Sequence, residues 1–242
     1  MGLSGLSITD HDTVEAYPKA IAQAKALGIR LGTGVEFSSL FKSMSVHILG
    51  YDIDLKDPGL NAFCEKHRLR REKRNRAILE RLAEAGIVLD IEAFFRKGPL
   101  LGRPHIAQAM VEKGFVEDIP KAFQKYIGDG APCYVQGDTF SVEETLGVIH
   151  GAGGKAFLAH PHLIDHRQKI RALLDLPFDG IECYYAKLPR KMEAPWLKMA
   201  KERRLLISGG SDFHGAIKEY IPLGASWVDA TTFEAIFQRP VA

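Results

Sequence analysis

The chain has 242 residues, 46% of them apolar, and a formal net charge of +2. It is long enough for one large packed domain or two small ones, and its charge gives no bulk argument for nucleic-acid binding. The three cysteines, Cys64, Cys133 and Cys183, are far apart, odd in number and form no CxxC, which argues against a disulfide scaffold or structural zinc finger and favours a reducing compartment. No apolar run approaches the ~20 residues that span a bilayer. No basic stretch followed by an apolar one opens the chain, so a cytoplasmic location and no membrane partner are expected.

In chain order, residues 6–8 read as a strand and residues 12–27 as a helix capped by Asp12 or Thr13 and stopped by Gly28. Residues 29–31 and 34–37 read as extended. Residues 45–51 read as a strand paired with the stretch near 38–41. The pattern then changes. Residues 64–85 form a long helix with Leu69, Ile78, Leu79 and Leu82 at helical spacing, and residues 105–113 and 120–126 read as further helices. Ser141, with Glu144 three residues on, begins a helix to about residue 152. Strands at 156–159, 180–184 and 205–208 then alternate with helices at 166–174 and 189–202, and residues 221–227 read as a last extended piece. The organisation predicted is α/β. Residues 1–57 and 139–242 form a barrel or open sheet of parallel strands, and residues 58–138 an α-helical insertion.

In such folds the chemistry lies at the C-terminal strand ends. Metal-type side chains gather there: His11 in Thr9-Asp10-His11-Asp12, Glu36 in Gly34-Val35-Glu36, His160 before Pro161, and Asp212 and His214 in Ser211-Asp212-Phe213-His214. His47, inside Val46-His47-Ile48-Leu49, fits the rule less cleanly. Histidine with carboxylate suits zinc, manganese or iron. A carboxylate such as Glu36 can face two ions, and a pair of ions is the usual arrangement for phosphoester hydrolysis. Taken singly, any of these residues is explained by packing or capping. Six in five strand segments are not, because His and Asp are poor core residues. Structural or surface roles are expected for His67, His150, His162 and His166.

These motifs, with His47-Ile48-Leu49-Gly50-Tyr51 and Ala159-His160-Pro161, resemble in order and spacing those of the PHP (polymerase and histidinol phosphatase) family. Leu101-Gly102-Arg103-Pro104-His105 and Tyr126-Ile127-Gly128-Asp129-Gly130 resemble the branch that acts on nucleoside 3′,5′-bisphosphates and the 5′ ends of short RNA. The resemblance implies a distorted (β/α)7 barrel with an α-helical insertion and two or three divalent ions, Mn, Fe or Zn. It further implies metal ligands at His11, Glu36, His47, His160, Asp212 and His214. Family chains begin with a strand carrying His-x-His and a following Asp. Residues 1–5 carry neither, so an N-terminally truncated barrel is expected. One ion would keep the full set Glu36, His47 and His160. Two others would keep Glu36 with Asp212, and His11 with His214, giving weak occupancy and low activity.

Residues 65–81 carry eight Lys or Arg against three Glu, a solvated helix or a phosphate-collecting face. Arg74 and Arg103 are the candidates for substrate phosphate, Arg103 because a Gly-Arg-Pro turn can hold a guanidinium for bidentate contact. His105 can donate to phosphate or protonate a leaving group, or else cap the helix that begins there. Arg103 and His105 are therefore the catalytic candidates, with a nucleotide or short RNA as substrate. A non-catalytic RNA-binding remnant and a histidinol-phosphate-type phosphatase are the alternative readings. The basic insertion disfavours the second.

Overall fold

The computed structural model describes residues 2–96, 101–164, 167–215 and 220–239. The chain divides into two compact units, Met1–Cys64 with Phe140–Ala242, and Glu65–Thr139.

The first unit is built on β1 (Gly5–Ser7), β2 (Arg30–Gly32), β3 (Gly34–Phe41), β4 (Met44–Tyr51), β5 (Lys155–Leu158), β6 (Gly180–Tyr185) and β7 (Leu206–Gly210). β1 pairs parallel with β2, and the other five strands run in the order β3-β4-β5-β6-β7. β2 and β3 follow one line interrupted at Thr33, and beyond β1 the chain pairs again with β3 through the parallel bridge His11 to Glu36.

Tyr17, the first residue of α1 (Tyr17–Leu27), fills the interruption. Its hydroxyl accepts from the N–H groups of Gly34 (2.5 Å) and Ile8 (3.3 Å) and lies 2.7 Å from the Ile8 carbonyl and 3.0 Å from that of Gly32. One side chain thus satisfies backbone groups that the broken ladder would leave orphaned. Burial pushes the phenol up to about 12.

The sheet is mixed, not parallel as expected. β3 and β4 form a hairpin over a two-residue turn with Lys42 at φ +57°, and β4 also runs antiparallel to β5; only β5, β6 and β7 are mutually parallel. A two-residue connection can only reverse the chain, whereas a parallel neighbour needs a crossover. Helices α7 (Arg167–Leu173) and α8 (Arg190–Arg203) supply those crossovers, while α6 (Val142–Gly151) precedes β5, and Ser141 caps it by accepting from the Glu144 N–H as expected. Val35, Phe37, Ile48, Leu146, Ile149, Leu158 and Ile181 form the core beneath them.

Other differences have local causes. Asp12 does not cap α1. It sits at φ +61° with its carboxylate accepting from the Ser38 N–H at 2.8 Å, and α1 starts at Tyr17. Residues 221–229 form turns and irregular chain, and α9 (Ala230–Ile236), capped by Asp229, was not anticipated. His166 lies outside the described residues.

The excursion to the second unit leaves along α2 (Pro58–Glu84) and returns at Phe140. The Phe63 ring meets those of Phe37 and Phe140, each at 5.0 Å, and the Phe140 carbonyl accepts from the Leu40 N–H. The second unit continues with α3 (Ile91–Arg96), also unanticipated, α4 (Arg103–Glu112) and α5 (Ile119–Ala122), which runs into a π turn over Phe123–Ile127. It has its own core of Ile78, Leu79, Leu82, Ile106, Met110 and Ile127. Among the described residues no helix is long and apolar enough to cross a membrane.

Candidate metal centre

Three strand ends turn back on themselves to aim side chains at one rim. Asp12, His160 and Asp212, after β1, β5 and β7, have φ of +61°, +27° and +48°. Left-handed backbone at a non-glycine residue costs on the order of 1–3 kcal/mol and persists only where the surroundings hold it. Because β4 is antiparallel to β5, the start of β4 lies at the rim where β5 ends. The Ala159 N–H donates to the His47 carbonyl there. That reversal explains why His47 sits inside its apolar run rather than after it.

Glu36 is the centre of the cluster. Its side chain is 6% exposed. His47 Nδ1 and His160 Nε2 lie 2.9 and 3.0 Å from Oε1, and His11 Nδ1 lies 3.7 Å from Oε2. His47 Nδ1 and His160 Nε2 are 3.2 Å apart. The His11 ring lies 4.8 Å from that of His47 and 6.0 Å from that of His214. His214 Nδ1 approaches the Asp212 carbonyl at 2.9 Å and its carboxylate at 3.3 Å. Thus the six metal-type residues expected from the sequence come together.

Electrostatics follow from this packing. Burial alone would raise Glu36, but the His11 and His47 charges and the hydrogen bonds from His160 and His47 hold it well below the usual carboxylate range. Burial opposes the charged form of His160, yet the hydrogen bond and charge of Glu36, with Glu182 and Asp212 behind, raise it. Imidazole nitrogens this close to one another and to one carboxylate fit a divalent cation. Donor atoms of His11, Glu36 and His47 lie within 4.8 Å of one another, and His, Asp and Glu together suit a first-row metal.

A cleft of about 680 Å³ opens beside the cluster, lined by β1, by the end of β7, and by Asp10, His11, Glu36, His160 and His214. It also holds a carboxylate the sequence reading missed. Glu182, on β6, is 6% exposed and is pushed up to about 7 by burial, against the charge of His160 and the hydrogen bond from its N–H. The available signal was a lone acid inside the apolar run Ile181-Glu182-Cys183, the pattern that flagged His47. His162 is pushed down to about 4 by burial and by His160, and its ring packs at 4.4 Å on Tyr185.

The other candidates belong to the helical unit. Arg103 pairs with Asp129 at 2.7 Å and lies over the rings of Tyr134 and Phe123 at 5.3 and 5.8 Å. His105 Nδ1 accepts from the Gly102 N–H at 3.1 Å, capping the first turn of α4. The aliphatic stem of Arg74 lies beside Gly137, which has φ +72°, a backbone conformation that favours glycine.

No family model matches the chain. Several characterised proteins are similar to it. The 5′-3′ exoribonuclease Rnm of Salmonella typhimurium is 33% identical over 223 residues, 88% of this chain and 76% of that protein. The 5′-3′ exoribonuclease of Haemophilus influenzae is 34% identical over 88% of this chain and 80% of its own length. The 3′,5′-nucleoside bisphosphate phosphatase of Chromobacterium violaceum is 34% identical over 86% and 76%. Among solved structures, a Bifidobacterium adolescentis protein assigned as a metal-dependent phosphoesterase superposes with a TM-score of 0.85 at 27% identity, covering 100% of this chain and 87% of that one. A C. violaceum protein named an amidohydrolase, solved with sulfate and without metal, gives 0.84 at 32% identity over 95% and 82%. With relatives this similar along most of their length, and with histidines and acids gathered at one rim of an α/β fold, the chain belongs to the PHP family of metal-dependent phosphoesterases.

Proposed function

We propose that this phosphoesterase acts on nucleotides, releasing phosphate from nucleoside 3′,5′-bisphosphates or cleaving the 5′ ends of short oligoribonucleotides. One observation carries the reading: three imidazoles converge on the buried Glu36 carboxylate at the rim of the sheet. The two Glu36 oxygens face different histidines, Oε1 towards His47 and His160 and Oε2 towards His11, which suits a carboxylate shared by two ions. His11, Glu36, His47, His160, Asp212 and His214 would hold Mn, Fe or Zn. Such ions, when bound, activate water and offset charge on the phosphoryl oxygens.

The remaining work falls to the chain's own side chains. Arg103 takes the substrate phosphate. Asp129 and the two aromatic rings fix its guanidinium, so less freedom is lost on contact. With Nδ1 of His105 engaged by the Gly102 N–H, Nε2 is the nitrogen that donates to phosphate or leaving group. Arg74 adds a second positive charge. We read the two sheets as arcs of the family's distorted (β/α)7 barrel. The names of the exoribonuclease and bisphosphate phosphatase relatives support this substrate class.

The test is phosphate release from adenosine 3′,5′-bisphosphate with Mn²⁺, alongside a 5′-phosphorylated oligoribonucleotide and histidinol phosphate. The expected result is turnover of a nucleotide substrate that a chelator abolishes and Mn²⁺ restores. Turnover of histidinol phosphate alone would overturn the substrate class, and no turnover of any of the three would overturn the reading.

A further inference from the structure

Strand β6 supplies none of the six metal-type residues, yet two of its side chains reach them. Glu182 Oε2 accepts from the His160 backbone N–H at 2.8 Å. The Tyr185 hydroxyl donates to Asp212 Oδ2 at 2.6 Å. In a regular strand, residues three apart point to opposite faces. Here they do not, because β6 is bulged. Glu182 pairs with Ser208, and Tyr184 with the very next residue, Gly209, leaving Cys183 as an extra residue. Cys183 turns into the apolar core and is fully buried. The added residue changes the phase of the strand, so that Glu182 and Tyr185 both reach the cluster.

The residues they hold are also distinctive. His160 and Asp212 are the members of the six with left-handed backbone. Glu182 ties down the His160 peptide at the point of strain, and the His160 ring then reaches Glu36. Tyr185 fixes one oxygen of Asp212 and leaves Oδ1 beside His214 Nδ1. Bulges re-aim side chains beside functional sites, and outer hydrogen bonds orient metal ligands.

We propose that Glu182 and Tyr185 are positioning residues, brought to one face by the β6 bulge, that set His160 and Asp212 for a divalent cation. This rests on the metal reading of the site.

The experiment titrates Mn²⁺ into the whole chain and its variants, reading free Mn²⁺ by electron paramagnetic resonance, with melting of the metal-free protein as the control for folding. Glu182→Ala is expected to weaken Mn²⁺ binding about 10–100-fold, and Tyr185→Phe about 10-fold, with the metal-free melting midpoint of Tyr185→Phe little changed. In Glu182→Gln the amide oxygen still accepts from the His160 N–H, so binding stays within about threefold of wild type. If Glu182→Ala does not fold, the contrast between Glu182→Gln and Tyr185→Phe carries the test. Wild-type affinity in both Glu182→Ala and Tyr185→Phe would overturn the proposal alone. So would binding in Glu182→Gln as weak as in Glu182→Ala, since that would make the charge of Glu182, rather than its hydrogen bond, the requirement. A wild-type chain that binds no Mn²⁺ would overturn the metal reading, and this proposal with it.

Discussion

The sheet unit and the helical unit treat acidic residues in opposite ways. In the sheet unit Asp12, Glu36 and Glu182 are buried, and each touches a backbone amide or imidazole of the rim. In the helical unit charge is mostly spread along α2 in close-spaced pairs, Glu65 with Arg68 and Glu72 with Arg68 and Arg76. Buried polar groups have few acceptable partners, so each of their positions is specified. Exposed pairs are exchangeable. Function concentrated in buried polar groups should therefore respond sharply to substitution in one unit and softly in the other.

The largest effect is expected at Glu36. Glu36→Ala removes the carboxylate that three histidines share, so Mn²⁺-dependent phosphate release should fall by more than about 100-fold, the top of the range for outer partners of a metal site. Activity within tenfold of wild type would break the comparison at its centre. Next comes Tyr17→Phe, which takes an acceptor from the Ile8 and Gly34 amides. Leaving buried donors unpaired should cost about 2 kcal/mol. For a chain of this size that lowers the melting midpoint by about 4–8 °C. Calorimetry of the metal-free protein measures it. The smallest effect is expected for Lys73→Ala. The Lys73–Asp138 pair, at 3.2 Å, is 76% and 66% exposed on its two sides. The change in unfolding free energy should stay below about 0.5 kcal/mol. A larger loss in a denaturant titration would show that the helical unit, too, depends on individual charged pairs.

The same contrast governs what could be read from the residues. Histidines and acids at the ends of apolar runs are conspicuous because hydrocarbon neighbours make them so. His11, Glu36, His160, Asp212 and His214 could be named before any coordinates. His47 was legible as a residue but not as a location, since its place depends on β4 running backwards, a fact set by the two-residue turn at Lys42. Glu182 escaped because its role is exercised through a peptide N–H of a residue 22 positions away, and no local pattern encodes that pairing. Asp12 looked like a helix cap, the commonest use of Asp before a helix, but tertiary pairing with Ser38 claimed it first. Helices α3 and α9, six and seven residues long, offer only about two turns of periodicity; α7 is as short but was legible from its place between two strands in the regular alternation.

The edge-to-face rings of Phe37, Phe63 and Phe140 have an evolutionary consequence. Where a polypeptide departs from a scaffold and rejoins it at a single clasp, everything hung beyond that clasp can lengthen, shrink or be exchanged, because the entropy of closing a loop grows only slowly with its length. Residues 65–139 are such a cassette. Selection could retailor residues 65–139 while the sheet unit kept its own separate core.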